Sequence, residues 1–255
     1  MTEEIVRVEH LKKAFKRNRK SVLAVDDVSF SIRKGECLGL IGESGSGKST
    51  IAGILSGFQR TDEGNFYLKG REMLHNKQYA RENRRYMQTI FQNPLSSLNP
   101  RMTIGKNLEE ALLYYEKTTK EERVRRAEEV MKMVELPRAY LKKHPMQISG
   151  GECQRVCIAR ALMRNPDFLI CDEMTSALDV SVQAKVLNIL QSLQKEYQMA
   201  MLFISHDIAV VSNVCDSVLV LQEGRIAESG AVRDVLRNPT MPYTKNLINS
   251  VILLQ

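Results

Sequence analysis

Apolar residues recur along the chain with two spacings, one typical of strands and the other typical of helices. Short runs that alternate or are rich in β-branched residues predict strands at residues 5–10, 28–32, 37–41, 64–69, 168–171 and 201–204. Towards the C-terminus, residues 217–221 and 225–227 flank a Glu223-Gly224 turn and predict a hairpin. We therefore expect the first 70 residues to be mostly strands.

The helical spacing occurs at residues 48–56, 107–117 and 121–135 and again after residue 180. Gly57 ends the first of these helices, and Pro137 ends the third. The apolar stripes are Val124, Ala127, Val130, Met131 and Val134 in one helix and Val182, Val186, Ile189, Leu190 and Leu193 in another. Residues from about 93 to 165 thus predict a helical insertion in a strand-rich frame. Outside it, strands alternating with helices imply a largely parallel sheet covered on both faces.

Composition narrows the class of protein. The chain has 255 residues, of which 43% are apolar and 26% are charged, and this balance is typical of a globular fold. It contains no run of about 18 apolar residues that would span a membrane, and it does not begin with a secretory signal. We therefore expect a cytoplasmic protein that reaches a membrane only through other chains.

The charge pattern argues against a nucleic-acid-binding surface, and the cysteine pattern argues against disulfides and a metal site. The net charge of +7 includes basic stretches at residues 12–20 and 123–126, which we interpret as solvated surface because no DNA-binding motif accompanies them. Scattered cysteines in apolar surroundings predict buried, reduced thiols at Cys37, Cys153, Cys157, Cys171 and Cys215. Cys153 and Cys157 lie four residues apart, but no further Cys or His accompanies them, so no metal is expected there.

A phosphate-binding loop is predicted at residues 42–49. Their sequence, Gly-Glu-Ser-Gly-Ser-Gly-Lys-Ser, fits the pattern G-x-x-x-x-G-K-[ST] between a predicted strand and a predicted helix. Glycines allow successive backbone N–H groups to point at phosphate oxygens, and the helix N-terminus adds positive potential. We expect nucleotide contacts from Gly42, Ser44, Gly45, Ser46, Gly47, Lys48, Ser49 and Thr50. Lys48 would reach the β- and γ-phosphates, and Ser49 would offer its hydroxyl to Mg²⁺.

Two acidic residues follow a buried strand further along the chain. Because parallel strands end at the same edge of a doubly wound sheet, we expect Asp172 and Glu173 to meet the phosphate loop. Asp172 would hold magnesium, and Glu173 would act as general base or position the attacking water. His206 follows the next strand, where a polar contact with the γ-phosphate is expected.

The segment Ile-Ser-Gly-Gly-Glu at residues 148–152 resembles the signature, usually written LSGGQ, of the ATP-binding cassette (ABC) family. The phosphate loop, signature, acidic pair and histidine follow the family's order across essentially the whole chain. The resemblance implies an α/β fold: a P-loop NTPase core with a mainly parallel sheet, an N-terminal antiparallel β-subdomain and an inserted α-helical subdomain. It implies one nucleotide-binding domain over residues 1–255, with the ATP-binding core at 1–92 and 166–255 and the helical subdomain at about 93–165.

The resemblance also implies roles for single residues. Gln92 is similar to the glutamine that contacts Mg²⁺ and senses the transmembrane partner, and Phe15 to the aromatic residue that stacks on adenine. Asp179 is similar to the aspartate that faces the opposite subunit. Across that interface, the γ-phosphate held by one subunit would be bound by the other subunit's Ser149 and by the amides of Gly150 and Gly151, with Glu152 in the same nucleotide-contacting segment. Each complete site would then need two cassettes arranged head to tail.

A narrower resemblance concerns residues 91–104, Phe-Gln-Asn-Pro-Leu-Ser-Ser-Leu-Asn-Pro-Arg-Met-Thr-Ile, which closely resemble a stretch in ATPases of oligopeptide, dipeptide and nickel importers. His144-Pro145 and Pro242-Tyr243-Thr244 are also typical of that group. Its members commonly pair two different ATPase subunits, and this chain is more similar to the second. Many peptide-type members continue into a cysteine-containing tail, whereas this chain stops at Gln255, which slightly favours the nickel or metallophore branch.

The resemblance implies an ATP-hydrolysing import subunit on the cytoplasmic face of the cell membrane. Its expected partners are a second ATPase subunit, two transmembrane permease subunits and, indirectly, an extracytoplasmic solute-binding protein; no nucleic acid is expected. Two alternatives stay open: a weakly hydrolysing regulatory half of an asymmetric dimer, and a soluble ABC ATPase that acts on nucleic acid. The first is motivated by Glu152 in place of glutamine, whose charge would repel the γ-phosphate, and by Met174 in place of proline, which would loosen the loop after Glu173.

Overall fold

The strands of the protein form two sheets. A computed structural model describes residues 3–17, 20–75, 84–113 and 118–252. Its strands are β1 (Glu4–Arg17), β2 (Lys20–Arg33), β3 (Cys37–Ile41), β4 (Glu63–Leu68), β5 (Arg71–Glu72), β6 (Met87–Ile90), β7 (Phe168–Asp172), β8 (Ala200–Ile204), β9 (Ser217–Gln222) and β10 (Arg225–Ala231). The antiparallel sheet has the order β2-β1-β4-β5, and the larger sheet has the order β10-β9-β3-β8-β7-β6.

Helices connect these strands and form most of the segment from residue 94 to residue 162. They are α1 (Lys48–Leu55), α2 (Pro94–Ser97), α3 (Ile104–Leu113), α4 (Lys120–Met133), α5 (Gly150–Leu162), α6 (Val180–Tyr197), α7 (Ile208–Val214), α8 (Val232–Arg237) and α9 (Pro242–Ile252). Short 3-10 turns occupy Arg84–Tyr86, Arg138–Lys142 and Pro145–Gln147. Within the described ranges, no helix combines the length and the hydrophobicity needed to span a bilayer.

The sequence predicts some of these bounds better than others. Strand β3 has the predicted bounds because a short apolar run is enclosed by a turn and a glycine-rich loop. Strands β1 and β2 each have 14 residues and extend well beyond the predicted segments, because bulges let a largely polar hairpin stay paired. The helix predicted at 107–117 begins at residue 104, and residues 114–117 lie outside the described part.

Both faces of the larger sheet are covered by apolar packing. On β7, Phe168 and Ile170 belong to a cluster with the antiparallel sheet and α1, whereas Leu169 and Cys171 face the helices that follow residue 94. Alternate side chains of a strand point to opposite faces, so a strand covered on both sides must be apolar throughout. All five cysteines are free thiols; four are buried as expected, whereas Cys215 is only half-buried.

A buried asparagine organises the segment before α3. Asn107 is fully buried; its side-chain N–H groups donate to the carbonyl oxygens of Asn99, Met102 and Thr103 at 3.0–3.2 Å. Its side-chain oxygen accepts a hydrogen bond of 2.7 Å from the backbone N–H of Asn99. The backbone of the loop that contains Asn99 is therefore hydrogen-bonded although the loop forms neither a helix nor a strand.

Strand order positions the predicted site residues. Strands β3, β8, β7 and β6 are neighbours and all parallel, so their carboxyl ends meet at one edge of the sheet. The phosphate loop follows β3, and His206 follows β8. Asp172 and Glu173 stand at the end of β7, and Gln92 follows β6. Four segments that are far apart in sequence are thus adjacent in the fold.

Candidate nucleotide site

The phosphate loop leaves β3 in a conformation that requires glycine. Gly42 and Gly47 have φ angles of 152° and 111°. A Cβ atom on Gly42 would lie 2.2 Å from the carbonyl oxygen of Leu221, and one on Gly47 would lie 2.3 Å from that of Ala24. The loop is therefore packed against β9 and β2. Gly45 also has a positive φ, of 83°, but a Cβ atom there would meet nothing within 4 Å.

Lys48 begins α1 and is folded into the loop. Its ammonium group donates hydrogen bonds of 2.8 Å to the carbonyl oxygens of Gly42 and Glu43. Burial lowers the pKa of Lys48, while the nearby carboxylates of Glu173 and Asp172 act in the opposite direction. A positive charge is thus held inside the loop beside the acidic pair.

The hydroxyl residues of the loop differ in accessibility. Ser44 and Ser49 are exposed, Thr50 is half-buried, and Ser46 is buried. The carbonyl oxygen of Ser46 accepts a hydrogen bond of 2.9 Å from the backbone N–H of Gly224 in the β9–β10 turn. The exposed hydroxyls of Ser44 and Ser49 are open to a ligand, while the far side of the loop is supported by the hairpin.

The acidic pair sits at the end of β7 next to this charge. Burial raises the pKa of Asp172, the charge of Glu173 raises it further, and Lys48 opposes both effects. Glu173 has a φ of 47°, a left-handed conformation that is uncommon for a non-glycine residue, and its backbone N–H donates to the carbonyl oxygen of Ile204 at 3.0 Å. The start of the loop after β7 is therefore tied to the end of β8.

A chain of contacts joins His206 and Gln92 to Glu173. His206 Nδ1 lies 3.6 Å from Glu173 Oε1. The Ser176 hydroxyl donates to the Glu173 carbonyl oxygen at 3.0 Å and accepts from Gln92 Nε2 at 3.2 Å. The structure thus brings Gln92, Glu173 and His206 together, and Ser176 is the link between them that the sequence analysis did not assign to this site.

Met174 does not leave the loop after Glu173 loose. It is 2% exposed and packs in the main core, the apolar cluster between the larger sheet and the helices that follow residue 94. The adjacent Thr175 is buried, and its hydroxyl accepts a hydrogen bond of 3.2 Å from Gln183 Nε2. Apolar burial and a side-chain hydrogen bond therefore anchor this segment, where the sequence analysis expected the lack of proline to weaken it.

The signature residues form the N-terminus of α5. Ser149 caps the helix, and Glu152 Oε2 accepts hydrogen bonds from the backbone N–H of Ser149 at 2.8 Å and from its hydroxyl at 2.9 Å. Glu152 Oε1 accepts from the Tyr140 hydroxyl at 2.9 Å. The hydrogen bond from the Ser149 backbone, against an opposing effect of burial, lowers the pKa of Glu152. Its charge is therefore bound within its own helix cap.

Gly151 brings the signature next to the first turn of α6, the helix that Asp179 caps. A Cβ atom on Gly151 would lie 2.2 Å from Cγ1 of Val182 in the first turn of α6, so only glycine allows the two helix starts to approach so closely. Asp179 caps α6 and accepts from the backbone N–H of Val182 at 3.0 Å and from the Ser181 hydroxyl at 2.8 Å. Gly150 is exposed and has nothing within 4 Å of its would-be Cβ atom. The expected contact of Asp179 with another subunit stays a prediction.

Phe15 lies on β1 opposite Val22, and its side chain is partly exposed. The Lys13 ammonium group lies 5.5 Å from the centre of its ring. An exposed aromatic ring is compatible with stacking on a base, but the predicted contact with adenine stays a prediction.

The assembled groups fit a nucleotide and a divalent cation. The loop and Lys48 present donors and positive charge for phosphates. Burial and the charge of Glu173 raise the pKa of the half-buried Asp172 while Lys48 acts against them, and a cation beside this carboxylate would favour its charged form. Carboxylate, hydroxyl and amide oxygens, as on Asp172, Ser49 and Gln92, are ligands suited to Mg²⁺.

Comparisons with known proteins agree with this geometry. Residues 25–176 match the family described as ABC transporter. The chain is 42% identical over 257 residues to the oligopeptide transport ATP-binding protein OppF of Bacillus subtilis, with 99% of this chain and 84% of that protein covered. It is 44% identical over 234 residues to OppF of Salmonella typhimurium, with 91% and 70% covered.

A solved structure supports the same grouping. A dimeric ATP-binding cassette in a post-hydrolysis state, bound to ADP and Pi, matches 90% of this chain and 99% of its own, with a TM-score of 0.81 and 30% identity. The predicted fold class, a P-loop NTPase core with a mainly parallel sheet, is confirmed.

Proposed function

Because the chain belongs to the ABC transporter family, we propose that it is the ATP-hydrolysing subunit of a peptide importer. One observation carries the proposal: Glu173, at the end of β7, lies beside His206 and is joined through Ser176 to Gln92. This group lies at the sheet edge that also bears the phosphate loop. Relatives named as oligopeptide transport ATP-binding proteins support the peptide assignment.

The residues of this edge have separate tasks in hydrolysis. The loop amides and Lys48 bind the phosphates, and Ser49, Gln92 and Asp172 would hold Mg²⁺, which would neutralise phosphate charge. Glu173 orients a water molecule and accepts its proton as the water oxygen bonds to the γ-phosphorus. The bond from that phosphorus to the oxygen shared with the β-phosphate breaks, its electron pair stays on ADP, and phosphate is released. His206 contacts the γ-phosphate from the neighbouring strand.

The site is completed by a second cassette. Ser149 and Gly150 are exposed at the N-terminus of the 13-residue helix α5, where backbone N–H groups favour an anion. They would receive the γ-phosphate held by a partner cassette, and Phe15 would stack on adenine. The dimeric form of the related cassette bound to ADP and Pi supports this arrangement. The partner cassette is a second copy of this chain or a second, different ATPase subunit.

Membrane permease subunits are the other proposed partners, and they would place the protein on the cytoplasmic face of the membrane. Phe58 and Phe91 are exposed large apolar residues that contact each other edge to face, with ring centres 5.5 Å apart. They line a groove that also contains Arg160 and Glu110. Because Phe91 precedes Gln92, a permease segment in this groove would act directly on the nucleotide site.

The relatives' names favour peptides over nickel as cargo. Both OppF proteins are named for oligopeptide transport, so the slight preference for the nickel branch gains no support from them. An uptake assay in membrane vesicles that carry the whole transporter would test the proposal. We expect ATP-dependent accumulation of a labelled oligopeptide, loss of it with Glu173→Gln, and no accumulation of nickel. ATP-dependent uptake of nickel without peptide would overturn the cargo assignment.

A further inference from the structure

The C-terminal helix α9 contacts the phosphate loop through the hydroxyl group of Tyr243. The Tyr243 hydroxyl accepts a hydrogen bond of 3.2 Å from the backbone N–H of Glu43, the second residue of the loop. It donates to the carbonyl oxygen of Leu221, at a distance of 3.4 Å. The same carbonyl oxygen is the atom against which Gly42 is packed. One phenol group therefore joins the start of the loop to the end of β9.

The surroundings of Tyr243 keep its hydroxyl able both to accept and to donate a hydrogen bond. It is half-buried and packs against the main core together with Leu247 and Ile248 of the same helix. Burial raises the pKa of the Tyr243 hydroxyl, although the N–H of Glu43 acts against that change. The hydroxyl therefore stays protonated at neutral pH and can donate one hydrogen bond while accepting another.

A second contact fixes the start of α9. Glu228 on β10 accepts hydrogen bonds of 2.8 Å from both the backbone N–H and the hydroxyl of Thr240, and one of 3.2 Å from the backbone N–H of Met241. Partial burial raises the pKa of Glu228, but the nearby Thr244 hydroxyl and the Thr240 and Met241 groups outweigh it and hold the pKa at about 2. The helix is thus clamped to β10 just before the residue that touches the loop.

At this end of the loop, Lys48 holds the carbonyl oxygens of Gly42 and Glu43, and Tyr243 holds the backbone N–H of Glu43. Glu43, Ser44 and Gly45 are exposed, and Gly42 and Gly45 have positive φ angles that an unsupported segment would readily leave. A loop that is already in its binding conformation loses less conformational entropy when phosphates bind. The backbone N–H of Glu43 is occupied by Tyr243, and that of Ser46 donates to the Glu43 carbonyl oxygen at 3.2 Å, so Glu43 is held through both its N–H and its carbonyl group.

We propose that Tyr243 is a positioning residue for nucleotide binding: from the C-terminal helix, its hydroxyl holds the phosphate loop in the conformation that accepts phosphates. The inference rests on the proposed nucleotide site at Lys48 and extends it to a residue about 200 positions away in sequence. Tyr243 touches the loop and not the reacting atoms, so it sets affinity and leaves the chemical step alone.

Tyr243→Phe removes only the hydroxyl and tests the inference in the full chain. The dissociation constant for MgADP is measured by calorimetry, and KM and kcat for MgATP by phosphate release. We expect Kd and KM to rise about two- to tenfold, the range of one lost hydrogen bond, with kcat unchanged. Glu228→Gln should change Kd in the same direction. Tyr197→Phe is the matched control, since that hydroxyl contacts the Met133 sulfur and not the loop.

The outcomes separate this inference from the nucleotide site itself. A Tyr243→Phe protein that melts at a lower temperature but binds MgADP like the wild type would overturn the inference, because Tyr243 would then only stabilise the fold. An equal rise in Kd for MgADP in Tyr243→Phe and Tyr197→Phe would overturn it as well. If instead Lys48→Ala binds MgADP like the wild type, the nucleotide site is wrong, whatever Tyr243 does.

Discussion

His206 Nδ1 lies 3.6 Å from Glu173 Oε1, although the two residues follow different strands. Asp172 pairs with Ile204 across β7 and β8, so the residues just beyond this pair are held at one edge of the sheet. Glu173 is further fixed by its backbone bond to Ile204. A side chain that is expected to position water therefore has a neighbour expected to contact the γ-phosphate.

His206→Ala should slow hydrolysis without preventing binding. The imidazole is mostly exposed and its contact with Glu173 is long, so its loss should leave the fold intact. Removing one positioned polar group typically lowers kcat by about 10²-fold or more. We expect this loss in kcat for MgATP, with Kd for MgADP within about twofold of the wild type. A kcat within twofold of the wild type would show that His206 has no part in the reaction.

Glu152→Gln tests whether the carboxylate at the signature slows the enzyme. Glutamine keeps one oxygen that can accept from Ser149, its Nε2 can donate to the Tyr140 oxygen, and the charge is removed. If a γ-phosphate from the partner cassette approaches Ser149, removing a like charge should raise the specific hydrolysis rate. We expect a rise of a few-fold at a protein concentration that favours dimers.

Tyr140→Phe is the control for this variant. It removes a hydrogen bond from Glu152 and keeps the charge, so it should leave the rate the same or lower. A rate that falls in Glu152→Gln would contradict the repulsion and would instead indicate that the negatively charged cap is needed at the signature.

Asn107→Ala should destabilise the fold. The side chain is fully buried and forms four hydrogen bonds with the backbone of residues 99–103, and alanine would leave those groups without partners. Buried polar groups without partners cost about 1–3 kcal/mol each, so we expect a loss of about 2–4 kcal/mol in the free energy of unfolding. Urea unfolding measures it, with the exposed Asn188→Ala as control. Equal midpoints for the two variants would contradict the role of Asn107.

Glu228 should make the free energy of unfolding depend on pH in the acidic range. Its pKa of about 2 in the folded protein lies below that of an unfolded glutamate, about 4.3. The carboxylate therefore stabilises the fold fully above about pH 5, and this contribution is lost as the pH falls towards 2. We expect the wild type to lose more unfolding free energy than Glu228→Gln between pH 6 and pH 3. If the free energy of unfolding fell by the same amount with pH in both proteins, the role of Glu228 in holding α9 would be contradicted.

The sequence predicts features that depend on local patterns and misses those that depend on distant contacts. Strand β3 and the phosphate loop follow from an apolar run and a glycine pattern, and both stand where they were predicted. The contact of Tyr243 with Glu43 spans 200 positions, and no local pattern encodes it. Likewise, the positive φ of Glu173 is set by its bond to the neighbouring strand and not by its own residue type.

One missed feature did have a signal in the sequence. Ser149 and Glu152 are spaced as Ser-x-x-Glu, the pattern of a helix capping box, and the structure contains that box. The sequence analysis interpreted Glu152 only as a charge near a phosphate. The segment Thr119 to Glu122 has the same pattern and caps α4. Helix-capping patterns therefore also need to be read within functional motifs.

We propose that Glu173 drives ATP hydrolysis in a dimer of cassettes. The decisive measurement is Mg²⁺-dependent phosphate release from ATP over a wide range of protein concentration, for the wild type beside Glu173→Gln. We expect the specific rate of the wild type to rise with concentration and that of the variant to be lower by about 10²-fold or more, with MgADP binding retained. A variant that hydrolyses ATP as fast as the wild type at every concentration would contradict the claim.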